Sequence, residues 1–352
     1  MELAALGFDR WFEERAGALL RPGQSIARVT AVDRGAFLVR GRGEEVPAEL
    51  AGRFRFSAAD PVELPCVGDW VCVQHPAAGG PAIIHAVLPR KTFLRRKAPG
   101  KTVDFQMIAA NIDAAFIVQS CHYDFNVRRL DRYLVMAHDG GIQPLIVLTK
   151  SDLIPPGRLE QEIAAIRGAG IAETIFALSA ATGAGMDSFQ DSLAPATTYC
   201  LLGSSGVGKT TLINRLLGRE VFATKAVSAT GEGVHTTARR HLLVLEQGAL
   251  LIDTPGMREL GLLGASDGLE TSFPEIHELS QRCRFADCAH AVEPGCAVVA
   301  ALKEGGLSEE SYRSYLKLRK ESEHLGLSYV EKRKKDKAFG RMVQSAMKHL
   351  KK

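Results

Sequence analysis

Residues 203–210 read Gly-Ser-Ser-Gly-Val-Gly-Lys-Thr and directly follow the apolar run Thr198–Leu202. The stretch matches the phosphate-loop pattern G-x-x-x-x-G-K-[ST] in full. No other segment constrains the fold as strongly, because this loop works only between a buried strand and a helix. Gly203, Gly206 and Gly208 let successive backbone N–H groups curl around phosphates, and the next helix turns its N-terminus toward them. Ser204, Ser205 and Val207 complete the loop. Lys209 is placed to reach the β- and γ-phosphates, the Thr210 hydroxyl to ligate Mg²⁺, and Thr211 to open the helix. The chain must therefore build an α/β sheet whose strands end at a ligand site.

Three further segments suit the same site. Thr149-Lys150-Ser151-Asp152 follows the strand-like run Pro144–Leu148. The Asp152 carboxylate can accept from guanine N1–H and the 2-amino group, which adenine does not offer, and the Lys150 stem can stack on the ring. Thr149 stands where asparagine is commoner, so one amide donor to the loop backbone is lost. Ser179-Ala180, after Ile175–Leu178, fits a second base-contacting loop. Asp253-Thr254-Pro255-Gly256 ends the apolar run Ala249–Ile252, with Asp253 forty-three residues after Thr210. Asp253 suits the Mg²⁺-associated acid, and the Gly256 N–H would face the γ-phosphate. Each segment alone also reads as a polar turn after a strand.

The parts of a GTP/GDP–Mg²⁺ site are thus present in an unusual order. The guanine motif lies about fifty residues before the phosphate loop, whereas in ordinary GTPases it lies after it. Between the phosphate loop and Asp253 sits Gly231-Glu232-Gly233-Val234-His235-Thr236-Thr237. Thr236 and Thr237 both qualify to sense Mg²⁺ and the γ-phosphate, and Thr237 is favoured. Met257 occupies the position at which Ras-type enzymes carry a water-orienting glutamine. A thioether orients water poorly, which implies slow unaided hydrolysis. His235 is the nearest polar substitute.

Cys283-x₄-Cys288-x-His290-x₅-Cys296 offers three thiolates and one imidazole within fourteen residues. That set fills a tetrahedral Zn²⁺ and leaves no position open for water, so the expected site is structural. Cys66, Cys72, Cys121 and Cys200 lie in apolar surroundings and read as buried small hydrophobes. The odd total of seven cysteines argues against a disulfide framework.

Charge is distributed unevenly. Residues 313–352 hold 13 Lys/Arg and 4 Asp/Glu, a net +9, against +4 for the whole chain. The body is therefore 4 − 9 = −5, and a basic tail on such a body suits an anionic partner such as RNA, or else a solvated helix. Arg90, Lys91, Arg95, Arg96, Lys97 and Lys101 form a second basic strip with no acid among residues 90–101. It reads equally as an exposed connector or a phosphate-contacting strip. No apolar run approaches the roughly 20 residues that span a bilayer. The start of the chain lacks the pattern of a secretory signal. A cytoplasmic monomer without a membrane partner is expected.

The expected fold is multidomain α/β. Residues 1–24 form an N-terminal extension. Residues 25–100 hold short strands (Ile26–Val32, Ala36–Arg40, Val67–Val73, Ala82–Leu88) and suit a small barrel, OB-like or SH3-like. Residues 101–272 alternate strands with helices in a doubly wound sheet. Residues 273–352 form a helical, metal-binding segment with the basic tail.

With these motifs in hand, the chain resembles the RsgA (YjeQ) family over roughly residues 25–340. The resemblance rests on the permuted order, Gly203–Thr210, His235-Thr236-Thr237, Asp253–Gly256 and the Cys/His spacing. It implies an N-terminal OB-fold, a circularly permuted GTPase domain and a C-terminal zinc-binding domain. It also implies GTP hydrolysis stimulated by the small ribosomal subunit during its late maturation, through contacts with that subunit and its rRNA. An alternative is an RNA-binding assembly factor in which GTP serves mainly as a conformational ligand. A general phosphate-loop ATPase is a third reading, which equal affinity for ATP and GTP would favour.

Overall fold

The computed structural model describes residues 2–33, 35–58, 60–77, 79–97, 105–123, 125–220, 240–253, 265–291 and 293–322. His235, Thr236, Thr237, Gly256, Met257, Lys101 and the tail beyond residue 322 lie outside the described residues. The chain forms two compact units, one from residues 1–95 and 107–259, the other from 96–106 and 260–352.

The first unit begins with helix α1 (Arg10–Leu19), capped by the Asp9 side chain, which accepts from the backbone N–H groups of Trp11 and Phe12. Strands β1 (Ser25–Asp33), β2 (Ala36–Arg40) and β3 (Glu45–Leu50) follow, then helix α2 (Gly52–Ser57) and strands β4 (Trp70–Gln74) and β5 (Ala82–Val87). Their order β1-β2-β3-β5-β4 closes through β1–β4, with β3–β5 parallel. This is a five-stranded OB-like barrel, which settles the choice against an SH3-like one. Alternate residues point inward, and Val29, Val39, Val71, Val73 and Ile84 are fully buried in its core. β3 escaped sequence reading because Pro47 and two glutamates obscure its alternation. The run from Val67 becomes a strand only at Trp70, because Gly68 turns the chain at a positive φ of 92°.

Strands β6 (Phe93–Lys97) and β7 (Phe105–Ala110) pair in a two-stranded sheet. The α/β part then runs β8 (Ala114–Ser120), α3 (Val127–Asp139), β9 (Gln143–Thr149), α4 (Arg158–Gly168), β10 (Ile175–Ala177), α5 (Met186–Asp191), β11 (Thr198–Leu202), α6 (Lys209–Leu216), β12 (Arg240–Val244) and β13 (Leu250–Asp253). The strand order is β10-β9-β8-β11-β13-β12, parallel except for β12. β8 is buried along its whole length, as a strand covered on both faces must be. Phe116 stacks on Tyr199 at 5.1 Å and meets Phe189 edge-on at 4.8 Å in the core beneath the sheet.

Barrel and α/β sheet are one hydrogen-bonded surface, because β1 pairs antiparallel with β12 at Ala31–His241 and Val32–Arg240. Arg28 on β1 reinforces this union. Its guanidinium is buried, and it donates to the carbonyl oxygens of Leu6, of Gly68 (3.1 Å) and of Asn111 (2.9 Å). Gly68 also lets this turn pack against the end of β7, since a Cβ there would lie 2.1 Å from the Ala110 carbonyl oxygen.

Arg90, Lys91, Arg95 and Arg96 of the basic strip all have partners within the protein. Arg90 pairs with the fully buried Asp69 at 2.8 Å and donates to the carbonyls of Val62 and Leu64. Burial pulls its pKa down, but the Asp69 hydrogen bonds and charge more than reverse this, and the net shift is upward. Lys91 pairs with Asp9, Arg95 with Asp139, and Arg96 bonds Gln106. Arg90, Arg95 and Arg96 therefore brace the protein itself rather than line an open phosphate track. Asp69→Asn strands a buried cation and should cost about 3–5 kcal/mol, the usual penalty for breaking a buried pair. Urea denaturation measures it, and a loss under about 1 kcal/mol would show that water reaches Arg90.

The second unit holds α7 (Ser266–Ser272), α8 (Pro274–Ser280), a cysteine-rich loop, α9 (Ala297–Lys303) and a helical stretch over 309–322.

Candidate functional site

The parallel strands bring their C-terminal ends to one edge of the sheet, and the predicted nucleotide residues gather there. β11 leads into Gly203–Gly208, β9 into Thr149–Asp152, β10 into Ser179-Ala180, and β13 ends on Asp253. Chain order is irrelevant to this convergence, because neighbours in the sheet are set by pairing and not by sequence.

The phosphate loop is shaped by its glycines. Gly203, Gly206 and Gly208 all adopt positive φ, at 153°, 81° and 100°. A Cβ on Gly203 would lie 2.3 Å from the Val118 carbonyl oxygen, so the loop is pressed against β8. Lys209 folds its ammonium back to donate to the Gly203 and Ser204 carbonyls at 2.6 and 2.5 Å. That leaves the charge at the mouth of the loop, where phosphate oxygens would take it up. Thr210 and Thr211 stand in the first turn of α6.

The guanine-type loop is tied directly to the phosphate loop. The Thr149 hydroxyl is 2.5 Å from the Val207 carbonyl oxygen and 3.1 Å from that of Gln119. With one hydrogen to give, it donates to the nearer. The tie thought lost with the asparagine is thus made by a hydroxyl instead. Lys150 adopts a left-handed backbone (φ 59°) and sends its ammonium to the Gly206 carbonyl at 2.7 Å. Asp152 stays exposed at the tip of the loop, accessible to a base. Ser151 N–H donates to Leu178 O at 3.4 Å, joining this loop to the neighbouring one. There the buried Ser179 hydroxyl accepts from Thr182 N–H at 3.1 Å, which holds Ala180 in a tight turn.

Asp253 sits at the end of β13, register-paired with His241. Burial raises the pKa of its carboxyl above the ordinary value, and nearby Lys209 only partly restores it. An ionised acid held at such a cost suits a position awaiting a cation.

One contributor escaped sequence reading. Arg129, in the first turn of α3, donates to the Ser204 hydroxyl at 2.9 Å. Asn126 caps that helix by accepting from Arg129 N–H, so the side chain is aimed from a fixed base. Asn126 is a readable capping signal, but nothing in the sequence pairs Arg129 with a loop 75 residues away.

The metal-type residues converge in the second unit. The ligand atoms of Cys283, Cys288, His290 and Cys296 lie within 4.8 Å of one another. Cys283 Sγ is 3.8 Å from Cys296 Sγ and 3.5 Å from His290 Nδ1, and Cys296 Sγ is 3.6 Å from the same nitrogen. Tetrahedral zinc, with its usual bond lengths, requires S···S of about 3.8 Å and S···N of about 3.6 Å. The donor set therefore fits Zn²⁺ in kind and in spacing. His290 takes a left-handed φ of 57° to turn its ring inward. Tyr312 donates to its carbonyl at 2.6 Å, Arg319 donates to that of Cys288 at 3.2 Å, and Glu293 accepts from Ala289 and Ala291 N–H. These bonds orient the ligand loop from outside.

Comparison with known proteins agrees with this geometry. The family model for the RsgA GTPase matches residues 87–263. The chain is 42% identical over 332 residues to small ribosomal subunit biogenesis GTPase RsgA 2 of Lactiplantibacillus plantarum, covering 94% of this chain and 92% of that one. It is 37% identical over 352 residues to the Streptomyces coelicolor RsgA, covering 98% and 94%. Among solved structures it is similar to YjeQ from Thermotoga maritima (TM-score 0.62, 25% identity, 84% of this chain and 97% of that one). It is also similar to YloQ, a circularly permuted GTPase (TM-score 0.60, 25% identity, 86% and 96%).

Two outcomes test the site. Thr149→Val removes the tie to Val207 and should weaken GDP binding about 5- to 50-fold, the cost of orphaning a buried carbonyl. Thr149→Ser should keep most of the affinity, and a fluorescent GDP analogue reads both. Asp253→Asn should raise the melting temperature of the nucleotide-free protein at neutral pH while abolishing Mg²⁺-dependent turnover. The sign follows from the raised pKa: the ionised carboxylate burdens the fold above that pKa. The advantage of Asn must therefore fade as pH falls through it toward the unfolded value. A gain that persisted in acid would refute this cause.

Proposed function

The chain belongs to the RsgA family of GTPases, and from that membership we propose that it binds the small ribosomal subunit and hydrolyses GTP during the subunit's late maturation, stimulated by the subunit. The observation that carries the reading is the direct tie of the Thr149–Asp152 loop to the phosphate loop, through Thr149–Val207 and Lys150–Gly206. A site that fastens a guanine-type loop to a phosphate cradle selects base and phosphates together.

In this reading Asp152 accepts from the guanine edge, with Ser179 and Ala180 closing the far side of the base. Backbone N–H groups of residues 204–210 hold the phosphates, and Lys209 neutralises the β- and γ-oxygens. Thr210 and Asp253 would hold Mg²⁺, which would offset the charge developing on the phosphate oxygens. Thr237 and the Gly256 N–H sense the γ-phosphate. Met257 supplies no water-orienting group, so His235 takes that role once the subunit positions it. Cys283, Cys288, His290 and Cys296 hold one structural Zn²⁺. The protein works as a cytoplasmic monomer. The basic tail and the barrel supply contacts to rRNA.

Steady-state hydrolysis titrated with purified small subunits tests the core of this. Turnover should rise at least tenfold with subunits and fall with added salt as phosphate contacts weaken. Unchanged turnover would favour the alternative, an RNA-binding factor that uses GTP as a conformational ligand. His235→Ala should abolish the stimulated rate while leaving GDP affinity intact. Cys288→Ser should lose stoichiometric zinc and weaken subunit association, yet bind GDP like the parent. Loss of GDP binding in that variant would contradict independent units.

A further inference from the structure

The second unit contains a cavity of about 280 Å³ beside the metal-type ligand loop. Its floor is the ligand loop, with Cys288 and His290 in the lining. Its walls come from α7, α8 and the helical stretch 309–322. The cavity is smaller than the usual 300–1,000 Å³ of drug-sized ligand sites, so it suits a single ring system.

The lining is chemically mixed. Phe273 and Tyr315 meet edge-on at 5.6 Å along one wall. Phe285 also lines the cavity and remains 42% exposed, with the Arg284 guanidinium 5.4 Å from its ring centre. At that exposure, core packing does not account for this ring. Glu270, which lies 3.6 Å from the His277 ring, and Asp287 supply carboxylate acceptors, while the Arg319 guanidinium is engaged with the Cys288 carbonyl. An amphipathic helix would need an elongated apolar groove, which these charges deny. A phosphate would meet two carboxylates. A flat ring carrying amino donors meets aromatic faces and acceptors together.

We propose that this cavity takes one unstacked nucleobase of single-stranded RNA, a base with an exocyclic amino group (adenine, cytosine or guanine) in preference to uracil. The ring stacks on Phe285, and the amino group donates to Asp287 or Glu270. The sugar and phosphate stay at the mouth of the cavity, in solvent. Aromatic stacking with edge recognition is how unpaired bases are commonly read. The inference rests on the proposed rRNA partner and adds the chemistry of one contact.

Fluorescence anisotropy of the full-length, zinc-loaded protein tests it, using fluorescein-labelled oligouridine octamers at fixed salt. One octamer carries a central adenosine, one is uridine throughout, and one has an abasic residue at the centre. The adenosine octamer should bind about 5- to 100-fold tighter than the abasic one, the range for one stacked base, with uridine between them. This comparison needs no variant. Phe285→Ala should erase the difference and Phe285→Tyr preserve it, with zinc content and GDP affinity unchanged in both. Glu270→Gln with Asp287→Asn should bring adenosine and uridine together. Equal binding of the three octamers by the parent protein would overturn the proposal, as would an equal loss for all three in Phe285→Ala. The hydrolysis titration reads the function separately. Failure here with stimulation intact removes only the base site, and intact base preference without stimulation removes the proposed function instead.

Discussion

The first unit is organised around one buried charge. Arg28 donates to carbonyls of Leu6, Gly68 and Asn111, which belong to the segment before α1, the barrel and the entry to the α/β sheet. Burial lowers its pKa to about 10, with Asp113 and Asp69 opposing the fall, so it stays a cation at neutral pH. A buried guanidinium is tolerated only where acceptors are already fixed around it. Those acceptors come from three distant parts of the chain, so the three parts must assemble together. The neighbouring Arg90–Asp69 pair adds a second brace to the same corner.

This corner also explains how a barrel and a nucleotide-type sheet share one surface. β1 serves both, pairing with β2 and β4 in the barrel and with β12 beyond it. β12 in turn pairs with β13, whose last residue is Asp253. A hydrogen-bonded path thus runs from the barrel to the acid that would meet Mg²⁺.

Circular permutation costs the site little because its parts lie on strand ends. Thr149 and Lys150 reach Val207 and Gly206 across the sheet edge, whichever segment comes first in the chain. Motif spacing made the permutation visible, and the metal spacing foretold a cluster with zinc-like distances. Both were legible because ligand chemistry dictates residue type over short windows. The two roles misjudged were long-range ones. Arg90, Lys91 and Arg95 looked free because their partners Asp69, Asp9 and Asp139 are remote in sequence. Thr149 looked like a weakened asparagine because its acceptor lies 58 residues away.

The sequence by itself determined the local chemistry: a phosphate loop between strand and helix, a carboxylate suited to reading guanine, and three thiolates with one imidazole at metal-type spacing. Each follows from residue type within a few positions. Only the tertiary structure decided how these parts meet. It joined barrel to sheet through β1–β12, set Arg129 on Ser204, and turned Arg90 into internal bracing. The physical reason is that burial and pairing depend on where distant segments come to rest, and a charge shows its role only when its neighbours are known.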